Sequence, residues 1–600
     1  MNQGMTRRQL MKTGGVVAGA VTMGTGTALG GRAQPATAGT GKTAAARGKP
    51  GARHLPWILD MVQSNPGEAV TLSSFNDARK LAGYGYNGQV VNEWTPPDTA
   101  ITFDSLDPRI FPLESDERVW VLTNAGRIDA RIRQIHEAGL KALYFDDIIT
   151  LPKNLVSIYH DQIVDSQGRI NLDFPMTQQI LRVMLNEVFD RFPDLDGLVV
   201  RTGESYLFNV PYFTGNDPIT RGAASHLILL NILRDEVCVK RGKLVFYRTW
   251  SFDGFATDPS YYLSVTDNIE PHPNLIFSVK HTAGDFWRTI PFNPTIGIGR
   301  HPQIVEIECQ REYEAKGATP DYVLGGVIDG FEEFRGSPPP IGLADVADNP
   351  IFQGIWTWSR GGGWRGPYIP DELWCDLNAY VASHWAQDVH RSEADVFGDY
   401  TRQLGLSGSD SKRFRQLALA SATGVLHGHY STLFQMSSLT WTRDQFLGGS
   451  DKELAGDFKT VYEKGLTDAV IQEKAGAVVT WQQVAGLAGQ ISLRDPAAQE
   501  YMRTSSQYGL LLYTVIYHGW AVMLKGYEGD QTGTYDTAAI REHLAGYDRA
   551  WEAYQALARQ PYCPTLYVPY SDGTQDASGL YHADLAHGLK PSVDHYRAMA

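Results

Sequence analysis

The apolar run Leu198-Val199-Val200-Arg201 ends in Thr202-Gly203 and then a carboxylate, Glu204. Such a run reads as a strand buried on both faces. A carboxylate just past the carboxyl end of a parallel strand lies where barrel enzymes collect their catalytic groups, so the pattern makes Glu204 a candidate acid. Other apolar runs end in polar groups too: Asn92-Glu93-Trp94, Asp146-Asp147, Arg248 with Trp250, and Lys280 followed by Asp285. Later come Glu306, Glu308 and Glu312, then Trp358 and Arg360. These groups are expected to converge on one mouth rich in carboxylates and lined by aromatics. Hydrolysis of a glycosidic bond needs such a pair: one protonated carboxylic acid for the leaving oxygen and one carboxylate as base or nucleophile. The acid's pKa must be raised by burial or by a neighbouring negative charge. Arg248 and Lys280 would be odd beside a neutral sugar but suit a substrate carboxylate, Arg through two hydrogen bonds and Lys as a point charge. The alternative is that both only neutralise carboxylates of the protein. Trp94, Trp250 and Trp358 are candidate sugar platforms, although aromatics also fill cores.

Eight short apolar runs are placed to carry these groups: Trp57–Met61, Gln89–Asn92, Ala142–Phe145, Gly197–Arg201, Lys243–Arg248, Leu275–Lys280, Ile304–Cys309 and Gly354–Trp358. Between them, Ser73–Tyr84, Gly126–Ala138, Met176–Phe192 and Ala223–Val239 repeat apolar residues at helical intervals. Gly139 and Pro193 supply stop signals after two of these helices. Strand and helix alternating in this way predict an α/β fold, a (β/α)8 TIM barrel over 55–370. The competing doubly wound sheet would place a Gly-rich phosphate loop between its first strand and first helix, and no such loop follows Trp57–Met61. Beyond 370 the pattern becomes long helices: Glu372–Ser383, Glu393–Leu404, Ser411–Ala422, Ala455–Gln490, Pro496–Leu524 and Thr537–Ala558. Residues 371–600 are therefore expected to form an α-helical C-terminal domain, a candidate surface for homo-oligomerisation.

Six hundred residues, 43% of them hydrophobic, suffice for more than one domain. A net charge of −14 argues against a nucleic-acid partner, which demands a basic face. Past the N-terminus no stretch approaches the roughly 18 apolar residues of a membrane span. Thr6-Arg7-Arg8-Gln9-Leu10-Met11-Lys12 resembles a twin-arginine export motif, followed by a weakly apolar Gly/Ala/Thr/Val run. Residues 1–36 are accordingly expected to be a signal peptide, cleaved near Ala33 or Ala36, with an unstructured linker over 37–54 and a periplasmic or extracellular mature protein. Cys238, Cys309, Cys375 and Cys563 lack CxxC spacing and are expected to be buried thiols, with neither a disulfide framework nor a zinc site.

Three segments resemble the successive active-site strands of glycoside hydrolase family 67, the α-glucuronidases. They are Val199-Val200-Arg201-Thr202-Gly203-Glu204-Ser205, the segment ending in Lys280 with Asp285 five residues on, and Glu306-Ile307-Glu308-Cys309-Gln310-Arg311-Glu312-Tyr313. More loosely, Asn76–Ala82 with Tyr86-Asn87-Gly88 is similar to that family's first barrel helix and second-strand approach. The resemblance implies an inverting hydrolase that releases a uronic acid from an acidic oligosaccharide. It makes Glu204 the general acid and Asp285 with Glu312 the pair that deprotonates the attacking water. It makes Arg248 and Lys280 contacts to the substrate carboxylate, and implies no metal or organic cofactor. The chain departs from the family in having only a signal and a short tail where the family places an N-terminal β-sandwich. The Gly-rich Arg360–Trp364 loop and the Glu306/Glu308 pair also depart from its pattern. Two other readings use the same residues: a hydrolase or polysaccharide lyase on another glycan, or a carbohydrate-binding protein without catalysis.

Overall fold

Eight parallel strands close into a barrel, each paired with its neighbours in sequence and the last with the first. They are β1 (Trp57–Val62), β2 (Gly88–Val91), β3 (Lys141–Asp147), β4 (Gly197–Arg201), β5 (Leu244–Arg248), β6 (Leu275–Lys280), β7 (Gln303–Glu308) and β8 (Phe352–Arg360). The computed structural model describes residues 51–600 apart from 68, 251–253, 364–365, 438–450, 567–570, 576–580 and 584–588. The expected signal peptide, nearly all of the linker and Trp364 lie outside the described residues. Arg53, expected in the unstructured linker, is instead tied down: its guanidinium donates to the Asn349 and Phe352 carbonyls at 2.9 Å.

The period-two alternation of the strands sorts their side chains into two cores. Leu59, Met61, Leu143, Phe145, Val199, Phe246, Ile276, Ile304, Trp356 and Trp358 pack inside the barrel. Their neighbours in sequence, such as Ile58, Tyr144, Val200, Tyr247 and Val305, pack outward. The same inward parity turns Asp147, Arg201 and Arg248, two residues on from the last inward apolar side chain, and Lys280 and Glu308, four residues on, toward the upper end of the barrel.

The barrel helices include α1 (Ala78–Gly83), α2 (Asp116–Glu137), α3 (Pro175–Arg191), α4 (Ala223–Leu233) and α5 (Pro259–Thr266). The helix expected from Gly126 begins ten residues earlier, because the Ser115 side chain accepts from the Arg118 N–H and caps the first turn. The β6–β7 connection is irregular. The Asn293 amide pins it by donating to the Ala256 carbonyl at 2.9 Å, and this connection carries Asp285.

From Leu373 the described chain is helical, apart from a small hairpin, Ser571–Gln575 with Tyr581–Ala583. Its helices are α6 (Leu373–Gln387), α7 (Glu393–Gln403), α8 (Gly408–His429), α9 (Asp451–Glu463), α10 (Thr467–Ala488), α11 (Pro496–Thr532), α12 (Thr537–Leu557) and α13 (Leu589–Arg597). The single helix expected over Ala455–Gln490 is two, α9 and α10, because Gly465 at φ +65 ends the first in the left-handed region. Helices α8 and α11 cover the loop after β7. Tyr430 donates to Glu314 and Tyr501 to the Gly317 carbonyl, each at 2.5 Å. No helix among the described residues is long and apolar enough to cross a membrane.

Candidate active site

The carboxyl ends of β4, β5, β6, β7 and β8 surround a cleft of about 490 Å³. Glu204, Arg248, Trp250, Lys280, Asp285, Glu312 and Trp358 all line it. Of the candidate catalytic residues and sugar contacts, Trp94 is the one that does not line it. It is buried against Phe145 and Tyr206, its ring 5.3 Å from the Arg201 guanidinium, and it lines a smaller neighbouring pocket. Two other strand-end carboxylates also turn away: Glu93 faces Arg127 on the surface, and Asp146 points outward from β3. Among the described residues no group of His, Cys, Asp and Glu is arranged to hold a metal ion.

On the β3–β4 side a chain of charges fixes Glu204. Asp147 grips the Arg201 guanidinium with both oxygens, at 2.6 and 2.7 Å, a bidentate geometry that locks the plane of the fork. The remaining Nη1 donates to Glu204 Oε2, and the Tyr206 hydroxyl donates to Oε1 at 3.0 Å. Burial alone would raise the Glu204 carboxyl. Arg201, the Tyr206 hydroxyl and the charges of Lys280 and Arg248 outweigh it and hold the group below its ordinary value. As placed here Glu204 is ionised, the reverse of the raised pKa expected of an acid, because its own strand supplies a cation. Neither Arg201 nor Tyr206 was a sequence candidate. The inward parity of Val199 and Arg201 was the available signal for the first, and the second sits on an irregular loop with none.

Arg248 is anchored from below. Glu306 accepts from its Nε and Nη2 at 2.9 and 2.7 Å and also from the Ser278 hydroxyl. Its Nη1 is buried and has no hydrogen-bond partner among the described residues. A buried guanidinium with one donor unspent, at the wall of a cleft, is built to receive an oxygen.

On the β6–β7 side, Lys280 pairs with Asp285 and lies 3.9 Å from the Trp250 ring centroid. Tyr313 donates to the other Asp285 oxygen. Glu308 is fully buried beneath this corner, where its Oε2 accepts the Glu312 N–H at 3.0 Å. Burial, and then the charge of Glu312, pushes the Glu308 carboxyl well above the usual range. Gly362 closes the floor at φ +87, and a β-carbon there would stand 2.4 Å from Glu308 Oε1. Only glycine fits both the backbone and the space. Together the cleft is lined by an ionised carboxylate, a second carboxylate corner, and the cations Arg248 and Lys280.

No family model matches the chain, and no curated protein matches it in sequence. Among solved structures, a GH138 enzyme described as targeting pectin rhamnogalacturonan II superposes with a TM-score of 0.57 at 11% identity. The superposition covers 91% of this chain and 67% of that one. CpGH84B and a mutant O-GlcNAc hydrolase of Thermobaculum terrenum align at a TM-score of 0.39 and 8% identity, too distant to carry weight. These two cover 90% and 88% of this chain, and 77% and 99% of their own. The resemblance to glycoside hydrolase family 67 therefore rests on the strand-end motifs alone, while the structural likeness to the pectin-targeting enzyme extends to the fold and no further.

Proposed function

We propose that the chain is a glycoside hydrolase acting on a glycan that carries a uronic acid. The observation that carries this reading is the convergence of Glu204, Asp285 and Glu312, from three different strand ends, on one cleft that Arg248, with its unspent Nη1, also lines. Arg248 and Lys280 receive the carboxylate of the sugar. Glu204 protonates the leaving oxygen, and the Asp285/Glu312 corner takes the proton of the attacking water. With that division of labour the reaction inverts the anomeric centre and needs about 6.5–9.5 Å between acid and base to admit the water. The Arg7-Arg8 motif fits a protein exported by the twin-arginine route, meeting its glycan outside the cytoplasm.

The test is a product screen of the purified protein on acidic oligosaccharides, with proton NMR of the first-formed anomer. Release of a free uronic acid of inverted configuration is expected. Products with an unsaturated, ultraviolet-absorbing uronate would replace hydrolysis by elimination. Binding without turnover, unchanged in Glu204→Gln, would reduce the protein to a lectin.

A further inference from the structure

An acid that is ionised before substrate arrives has to gain its proton somewhere. Glu204 is clamped by Arg201 through Oε2 and by Tyr206 through Oε1. Asp147 stands behind Arg201 on β3, and the same cleft is lined by Arg248 from the adjacent β5 and Lys280 from β6. The anions facing Glu204 over the same space are Asp285 and Glu312. Lys280 answers Asp285 and Arg248 answers Glu306, yet Arg248 keeps a donor that no protein oxygen meets among the described residues. An incoming carboxylate is drawn to that donor, and its charge then adds to the cleft.

We propose that the acidic substrate arms its own acid: by docking against Arg248 and Lys280, its carboxylate offsets the cations around Glu204, so that Glu204 takes up a proton from solvent as the substrate binds. This rests on the uronide reading above and adds to it a reason for specificity. A carboxylate about 6 Å away, in a partly buried site, raises a neighbour's proton affinity about a hundredfold. A neutral sugar that fills the same cleft brings no such charge and leaves Glu204 ionised. The proton enters on Oε1, where the Tyr206 hydroxyl turns from donor to acceptor, since a hydroxyl serves as either. It then passes to the leaving oxygen as the glycosidic bond breaks. The water that attacks the anomeric carbon gives its proton to the Asp285/Glu312 corner, which releases it to solvent as product leaves, so this release balances the proton that Glu204 took up. Arg201, held by Asp147, is a positioning residue that keeps Glu204 aimed in both protonation states.

Calorimetric titration with D-glucuronate and D-galacturonate, and with D-glucose and D-galactose as neutral counterparts, tests this without turnover. Each titration is run near pH 5 in two buffers of different ionisation enthalpy, which converts the difference in heat into protons bound. The expected result is uptake of a large fraction of a proton per uronate bound, and next to none with a neutral sugar. In Glu204→Gln the uronate should still bind and the uptake should vanish. Uronate binding with no uptake, or uptake that persists in Glu204→Gln, overturns the arming while leaving the uronide reading intact. Binding of neutral sugars but of no uronate overturns both. The comparison of charged and neutral ligands on the unmodified protein stands even where the variant fails to fold.

Discussion

The two walls of the cleft use the same residue type to opposite ends. On the β3–β4 wall Glu204 lies against a guanidinium and is held below its ordinary pKa. On the β7 wall Glu308 lies beneath a second carboxylate, away from solvent, and is pushed well above it. Both are glutamates near the carboxyl end of a barrel strand. What separates them is the sign of the nearest charge, which decides whether burial is outweighed or reinforced.

The largest test of that contrast is removal of Glu204. Glu204→Ala should lower kcat about 10²–10⁴-fold on uronides with poor leaving groups, and much less on activated aryl glycosides. Equal losses on both would break the acid assignment. Next is the clamp: Arg201→Met strands Asp147 inside the barrel without its cation and should cost about 3–5 kcal/mol of stability, read from denaturant unfolding. A neutral result would mean that Asp147 and Arg201 do not depend on one another. Arg248→Lys keeps a charge but loses the fork that bridges Glu306 and the cleft. It should raise KM for a uronide about tenfold while changing kcat little.

Smaller effects sharpen the contrast further. Because Glu204's folded pKa is depressed, its contribution to stability is present above its unfolded pKa and is lost as pH falls through the folded value. Glu308's folded pKa is raised, so the native state binds the proton more tightly and stability declines as pH rises from the ordinary glutamate range toward that higher value. Thermal unfolding between about pH 3 and pH 9 should therefore show Glu204→Gln flattening the acid limb and Glu308→Gln flattening the fall at higher pH. Identical profiles for the two variants would erase the distinction. Smallest of all, Glu308→Gln should keep kcat within about threefold near neutral pH, since burial and the charge of Glu312 favour the uncharged form that an amide mimics.

The barrel was legible because its signal is local. Each strand is a short apolar run bounded by turn residues, and every one of the eight expected runs overlaps an observed strand. The break at Gly465 and the early start of α2 at Asp116 were less legible, because a single glycine or a serine cap decides them against a continuous helical pattern. Within the site, Glu204, Asp285 and Glu312 were readable from their places after strands, as were Arg248 and Lys280. Arg201 was hidden in plain view at the end of an apolar strand, and that Trp94 lines a neighbouring pocket and not the main cleft could not be read from its place after a strand.

The sequence by itself thus determined the order of strands and which chemical groups reach their carboxyl ends, since both follow from alternation and spacing along the chain. Only the tertiary structure decided which charges meet. Asp147 and Arg201 are 54 residues apart and Arg248 and Glu306 are 58 apart, so closure of the barrel alone makes them neighbours. A proton's affinity for a carboxyl is set by distances across space. That is why the protonation of Glu204 and Glu308 appears only in the folded protein.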